Sequence, residues 1–223
     1  MVDLREWAEE RPAFNLNEAQ RALNGERNYL KLKIHRAVER GEIKRIQRGV
    51  YTAHSDPLIY STHIEKPSYV SLWTGLRYYD LTTQVPTKVH VMTGKDREDL
   101  GEVVFHYTKY MFGFRKQIYR GFEISVAEKE KLLIDCLSRS EVPVSELTEL
   151  IEDVEIRRFV ELAERTSNKS LKKRAGYLFE EVREETVEEL KTDDRNYPLL
   201  DLTQSDEGEI NSEWRLKVNT NAV

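Results

Sequence analysis

The chain is 223 residues long, of which 39% are hydrophobic and 34% charged, and its formal net charge is -5. That length suits one large domain or two small ones, and the clustered apolar residues argue against disorder of the whole chain. No apolar run approaches the roughly 18 residues needed to cross a bilayer, and the first residues lack the pattern of a signal peptide. Cys136 is the single cysteine, which excludes an intrachain disulfide. We therefore expect a cytoplasmic protein without membrane contact.

Three short helices are predicted in the first forty residues, because apolar residues recur there at i, i+3 and i+4. Asn15 and Glu18 have the spacing of a capping box, which marks the start of the second helix. The third helix is predicted over about 27–40, and Gly41 supplies its end.

A two-stranded ribbon is predicted after the third helix, with Arg48-Gly49 suited to its turn. Three helices followed by a ribbon is the element order of a winged helix-turn-helix. The second helix of such a motif enters the major groove of DNA. We therefore predict a winged helix-turn-helix DNA-binding domain over residues 1–54.

The charge is distributed unevenly along the chain. Residues 27–54 hold eight Lys or Arg and two acids, a net charge of +6. Residues 141–223 hold 12 bases and 21 acids, a net charge of -9. This asymmetry favours a nucleic-acid contact at one end and another task at the other. A basic but merely solvated helix face is the alternative, given equal weight.

The outward face of the third helix carries groups suited to base pairs. Asn28 and Arg36 have the donor geometry for base edges in the major groove. Leu32 is unusual on a solvent face, and contact with a thymine methyl or packing on a neighbouring domain would explain it equally well.

The ribbon carries three bases that suit phosphates, since a charge binds the DNA backbone without reading its sequence. Together with the helix they complete the predicted DNA-binding set. Its members are Arg27, Asn28, Tyr29, Lys33, His35, Arg36, Lys44, Arg45 and Arg48.

Residues 63–223 are predicted to form a mixed α+β domain, with strands grouped early and helices late. Ser68 is predicted to cap a helix, and a long helix is predicted over 172–190. Residues 193–210 are acidic and are predicted to be a loop or extended segment. We expect Trp214 to pack back on this domain, because a large apolar side chain is costly to expose.

Five segments, taken in chain order, resemble the AbiEi family of antitoxins and predicted transcriptional regulators. They are Arg36–Tyr51, Pro67–Leu81, Ile124–Leu137, Lys173–Glu180 and Asn211–Asn219. The resemblance implies an antitoxin of a type IV toxin–antitoxin system that represses its own operon through the winged helix. It also implies a second domain that counters a toxin with a nucleotidyltransferase fold. Whether that toxin is bound directly is left open.

The helix over 172–190 is the predicted docking face for such a toxin, because three bases precede a long acidic stretch there. The partners expected on this basis are double-stranded operator DNA and the cognate toxin. A monomer or a weak homo-oligomer on DNA is expected.

The sequence shows no credible catalytic set. His90 and His106 fall on neighbouring predicted strands, which would allow them to approach each other, but single histidines on strands are more often packed or exposed than catalytic. Cys136 lies within a helix beside apolar residues, which is typical of a buried small hydrophobe. We therefore expect no enzyme activity, no cofactor and no metal. Two alternatives stay open: a nuclease-like enzyme that uses the winged helix to find DNA, and a protein-interaction module.

Overall fold

The computed structural model describes residues 3–220. Its helices are α1 (Leu4–Glu9), α2 (Leu16–Leu23), α3 (Arg27–Glu39), α4 (Pro57–Ile64), α5 (Leu72–Tyr78), α6 (Lys129–Leu137), α7 (Thr148–Asp153), α8 (Ile156–Glu164) and α9 (Lys169–Arg183). Its strands are β1 (Phe14–Asn15), β2 (Lys44–Gln47), β3 (Val50–Thr52), β4 (Ser68–Val70), β5 (Val89–Thr93), β6 (Val103–Tyr107), β7 (Phe114–Tyr119), β8 (Phe122–Ala127), β9 (Glu209–Asn211) and β10 (Leu216–Val218). The predicted α+β class is confirmed.

Local sequence signals define the three N-terminal helices. The capping box of α2 is present: Asn15 Oδ1 accepts from the Glu18 amide at 3.0 Å, and Glu18 Oε2 accepts from the Asn15 amide at 2.8 Å. Asn24 ends α2 in the left-handed region at φ 46°. Gly41 follows α3 at φ 72°, a conformation that glycine adopts without steric cost.

These helices share a core with a small antiparallel sheet, β1-β3-β2. Trp7 and Phe14 meet edge to face, with ring centroids 5.1 Å apart. Ile34 and Ala37 cover them from α3, and Ile43 completes the cluster just before β2. Packing therefore turns one side of α3 inward and leaves its other side free.

A five-stranded sheet of order β6-β5-β4-β8-β7 forms next along the chain. Strand β4 is antiparallel to β5 and parallel to β8, and β5 is parallel to β6, so the sheet is mixed. The prediction that Ser68 caps a helix is wrong, because Ser68 pairs with Thr93 in this sheet. Ser71 precedes α5 instead, and α5 begins at Leu72.

The described residues divide into two units. The first contains the chain up to Val70 together with Thr87–Met111 and Lys116–Val126. The second contains Ser71–Pro86, Phe112–Arg115 and the chain from Ala127 onward. The N-terminal helices thus belong to the same unit as most of the five-stranded sheet. The predicted domain boundaries, 1–54 and 63–223, stay predictions.

The second unit is built around α9, which is shorter than predicted. It runs from Lys169 to Arg183 rather than over 172–190, because Glu184 adopts the left-handed conformation at φ 53°. Phe159 and Phe179 meet edge to face in the core, with centroids 5.2 Å apart. Trp214 is buried, as predicted. None of the helices in residues 3–220 is long and apolar enough to cross a membrane.

The prediction that α9 offers three bases to a docked toxin is wrong for Lys173 and Arg174, because both are buried. Lys173 Nζ lies 2.9 Å from Asp194 Oδ2. Arg174 donates to the carbonyls of Leu199 at 2.6 Å and of Leu137 at 3.0 Å. Burial lowers the Arg174 pKa to about 10. Both cations therefore hold the extended segment after α9 in place and are not available to a partner.

Candidate nucleic-acid interface

Helix α3 has a buried side and an exposed polar side. Leu30, Ile34 and Ala37 are buried on one side. The exposed residues of the helix carry amide, imidazole, guanidinium, ammonium, phenol, carboxylate and aliphatic groups. They are Arg27, Asn28, Tyr29, Lys31, Leu32, His35, Arg36 and Glu39. The predicted inward and outward faces of this helix are thus confirmed, including the outward position of Leu32.

The basic residues of the 27–54 window differ in how far their charge is compensated. Within residues 3–220, three of the eight have a carboxylate partner: Lys33 with Asp3, Arg40 with Glu42, and Lys44 with Glu102. The other five have no carboxylate within ion-pair distance in that range. These are Arg27, Lys31, Arg36, Arg45 and Arg48. The uncompensated charge therefore lies on the exposed side of α3 and on the β2–β3 hairpin.

The β2–β3 hairpin presents two exposed arginines. Arg48 stands at the turn beside Gly49, whose φ of 82° makes the tight reversal possible. Arg45 is exposed on β2, and its Nε donates to the Gln47 carbonyl at 3.4 Å. An exposed guanidinium next to a narrow turn is well placed to reach a phosphate oxygen.

Lys44, the third predicted phosphate ligand, has a different environment. Its ammonium is paired with Glu102 and lies 3.5 Å from the Tyr60 hydroxyl. The hydrogen bond from Lys44 lowers the pKa of Glu102, and the same bond raises the pKa of Lys44. Because its charge is already balanced, Lys44 has less to offer a phosphate than Arg45 or Arg48.

A second polar contact supports the same hairpin. Arg97 donates to Gln47 Oε1 at 2.9 Å and also pairs with Glu65 at 3.3 Å. Its guanidinium lies 4.3 Å from the centre of the Phe105 ring. The hairpin is therefore anchored by residues fifty or more positions away in the chain, which local sequence patterns do not reveal.

The remaining predicted DNA-binding residues lie along α3. Arg27 donates to Asn17 Oδ1 at 2.7 Å, which links the start of α3 to α2. Lys33 is half-buried at 3.4 Å from Asp3, whereas Tyr29 is 57% exposed. His35 Nδ1 lies 3.7 Å from Glu39 Oε1 one turn later.

Lys31 is an exposed base that the predicted set omitted. It lies on α3 within the basic window, so its charge was the available signal. The predicted set favoured residues opposite the core, and Lys31 lies toward the side of that face.

The other predicted candidates lie outside this face. His90 Nδ1 and His106 Nε2 are 3.0 Å apart, and the rings are stacked with centroids 5.2 Å apart. Their predicted approach is confirmed. Cys136 is buried, and burial raises the pKa of its thiol well above the usual value. A thiol held protonated in this way is a poor nucleophile.

A known protein family matches the N-terminal part of the chain, which contains α3 and the β2–β3 hairpin. Residues 2–54 match the family described as transcriptional regulator, AbiEi antitoxin. The resemblance to AbiEi antitoxin regulators that the sequence predicted is thereby confirmed for residues 2–54. No curated protein matches the chain significantly.

Among solved structures, the chain is similar to the crystal structure of the RV2827C protein from Mycobacterium tuberculosis. The TM-score is 0.66 at 12% sequence identity, and the match covers 92% of this chain and 85% of that chain. At this identity the likeness concerns the fold alone.

Proposed function

We propose that the chain is a DNA-binding antitoxin that represses its own toxin–antitoxin operon. In this proposal α1 to α3 and the β2–β3 hairpin act as a winged helix-turn-helix, with α3 as the recognition helix. The match of residues 2–54 to AbiEi antitoxin regulators supports the class of protein. The distribution of charge on these elements supports the mode of binding.

The observation that carries the proposal is the set of five bases on α3 and the hairpin that have no carboxylate partner within residues 3–220. Bases already paired with acids would have to break those pairs to bind DNA. Unpaired bases bind phosphates directly and release the counterions condensed on the duplex. The chain as a whole carries a net charge of -5, so an uncompensated basic surface points to a localised anionic ligand.

Roles within this surface follow from position. Asn28 and Arg36, on the exposed side of α3, are proposed to contact base edges. Arg45 and Arg48 are proposed to contact phosphates and to set the register of α3 in the groove. Arg27, Tyr29, Lys33 and His35 flank the recognition surface, and Lys44 contributes weakly because Glu102 balances it.

The rest of the chain, about 63–223, is proposed to counter a toxin with a nucleotidyltransferase fold, without enzyme activity of its own. The protein is proposed to act in the cytoplasm as a monomer or weak homo-oligomer. The buried positions of Lys173 and Arg174 argue against α9 as the docking face. The proposed mechanism does not require direct contact with the toxin.

The test of DNA binding is a gel shift with the DNA directly upstream of the gene and with a shuffled duplex of equal composition. We expect preferential binding to the upstream DNA and loss of the preference in the triple variant Arg36→Ala, Arg45→Ala, Arg48→Ala. Arg195→Ala is the matched control, since it removes an exposed base outside this surface. Equal binding of wild type to both duplexes would refute the proposal.

The test of the antitoxin role uses the full-length chain, because residues 1–70 share a unit with strands from later in the sequence. The triple variant is expressed from an unrelated promoter beside the adjacent toxin gene, also under an unrelated promoter. Retained rescue of growth would support a protective role separate from repression. Loss of rescue with intact folding would assign protection to the DNA-binding surface.

A further inference from the structure

Helix α3 exposes two large apolar side chains among its cations. Tyr29 is 57% exposed and Leu32 is 47% exposed, and they lie three residues apart on neighbouring positions of the helix surface. Both lie away from the buried side formed by Leu30 and Ile34. A single exposed apolar residue needs no explanation, whereas here two exposed apolar side chains lie next to each other among cations.

Leu32 occupies the middle of a row along α3. Asn28 precedes it by four residues and Arg36 follows it by four, so the three side chains lie on one line of the helix. Successive members of the row are separated by about 6 Å along the helix axis. That spacing corresponds to about two base-pair steps of 3.4 Å.

The chemistry of the row matches three different features of the major groove. An asparagine amide pairs with adenine, and an arginine guanidinium pairs with guanine. The thymine methyl group is the apolar feature of the groove, and aliphatic side chains are the groups that contact it. A leucine that lies between an asparagine and an arginine on α3 is therefore suited to contact a thymine methyl group.

We propose that Leu32 is a specificity-determining residue that contacts the methyl group of a thymine in the operator. The operator then presents an adenine, a thymine and a guanine in the order of Asn28, Leu32 and Arg36. This inference rests on the proposed function and deepens it, because it names a base feature that the recognition helix selects.

The surroundings of Leu32 favour DNA over a protein as the occupant. Arg36 lies one turn after Leu32 on α3, Arg27 and Lys31 are exposed elsewhere on the same helix, and none of the three has a carboxylate partner within residues 3–220. The centre of a protein–protein interface is depleted of charged residues. Protein–DNA interfaces are instead strongly positive and polar, and the thymine methyl is the apolar group that the major groove presents. The cations around Leu32 fit the second kind of surface.

The experiment replaces each thymine in the upstream duplex by deoxyuridine, one position at a time, which removes the methyl group and leaves base pairing intact. Binding of the full-length protein is measured by fluorescence anisotropy. For wild type we expect one position per binding site at which the replacement weakens binding about fourfold, equivalent to about 0.8 kcal/mol for one buried methyl group. Leu32→Ala should bind more weakly and should no longer respond to that replacement.

Ile118→Ala is the matched control, because Ile118 is an aliphatic residue that is 70% exposed on β7, outside α3. This variant should keep the wild-type response. The inference is overturned if no replacement weakens wild type, or if Leu32→Ala responds as wild type does. It is also overturned if Leu32→Ala converts a dimer to a monomer in sedimentation without changing the response to deoxyuridine. Failure of wild type to prefer the upstream duplex over a shuffled one would instead refute the proposed function itself.

Discussion

Trp214 packs against Gly176 so closely that a Cβ atom at position 176 would overlap the indole ring. Trp214 is 2% exposed, and its Nε1 donates to Glu180 Oε2 at 2.5 Å. The residue thus joins the segment before β10 to the centre of α9. Glycine is needed at position 176 because of this close approach and not for backbone freedom, since the position is helical.

Gly176→Ala is expected to destabilise the protein. In an exposed helix this substitution normally stabilises by about 1 kcal/mol. Here the added methyl must displace a buried ring, and overpacking of this kind costs about 1–3 kcal/mol. A fall in Tm in thermal denaturation would confirm the contact. The double variant with Trp214→Ala is the control: adding Gly176→Ala to Trp214→Ala should cost little, because the clash is gone. A rise in Tm in the single variant would contradict the packing.

Arg36→Ala is expected to weaken binding to the upstream duplex by about 1–3 kcal/mol, the usual value of a base-edge contact. Binding to a shuffled duplex should change much less, because that binding depends on phosphates. The two affinities are compared by anisotropy at one salt concentration. An equal loss on both duplexes would show that Arg36 contacts a phosphate.

The hairpin arginines are expected to control the salt dependence of binding. The double variant Arg45→Ala, Arg48→Ala should reduce the slope of log affinity against log salt by about two units, since each lost phosphate contact removes about 0.9. Lys44→Ala should change the slope less, because Glu102 already balances its charge. An unchanged slope in the double variant would exclude the hairpin as a phosphate-binding element.

His63 is expected to make the folded state less stable as the pH falls below neutrality. Burial lowers the pKa of His63 below its ordinary value of about 6.5, and this outweighs the hydrogen bond to the Glu123 carbonyl at 2.7 Å. The unfolded chain therefore binds the proton more readily, so stability present above pH 6.5 is lost as the pH falls through the lower folded-state pKa.

The measurement for His63 is Tm between pH 7.5 and pH 5.5, a range above the titration of most carboxyl groups. His63→Gln is the comparison, because a glutamine amide retains a donor for the carbonyl and does not titrate. The variant should show a flatter dependence of Tm on pH than wild type. An identical dependence in both proteins would assign the effect to other groups.

Local sequence rules were sufficient for the N-terminal helices. The capping pair Asn15 and Glu18, and the glycines at 41 and 49, act through the backbone within a few residues. The apolar period of α3 then determines which side packs inward, so the outward position of Leu32 followed from spacing alone. The N-terminal segment on which the family resemblance rested, Arg36–Tyr51, lies within the residues 2–54 that match the family.

Ser68 shows where local rules were insufficient. Its neighbours have helical spacing, yet Ser68 pairs with Thr93 in a sheet whose strands come from distant parts of the chain. Non-local pairing overrides local propensity here, because the backbone hydrogen bonds of a strand depend on its partner.

The amino-acid sequence alone determined the class of fold, the basic window, and which face of α3 points outward. Tertiary structure decided which of the basic residues remain free. Lys44 is paired with Glu102, and Lys173 and Arg174 are buried and hydrogen-bonded to a segment that follows α9. The physical reason is that the sequence gives the number and positions of the charged residues. Whether a given charge can bind a ligand depends on its burial and on the partners that only folding brings near.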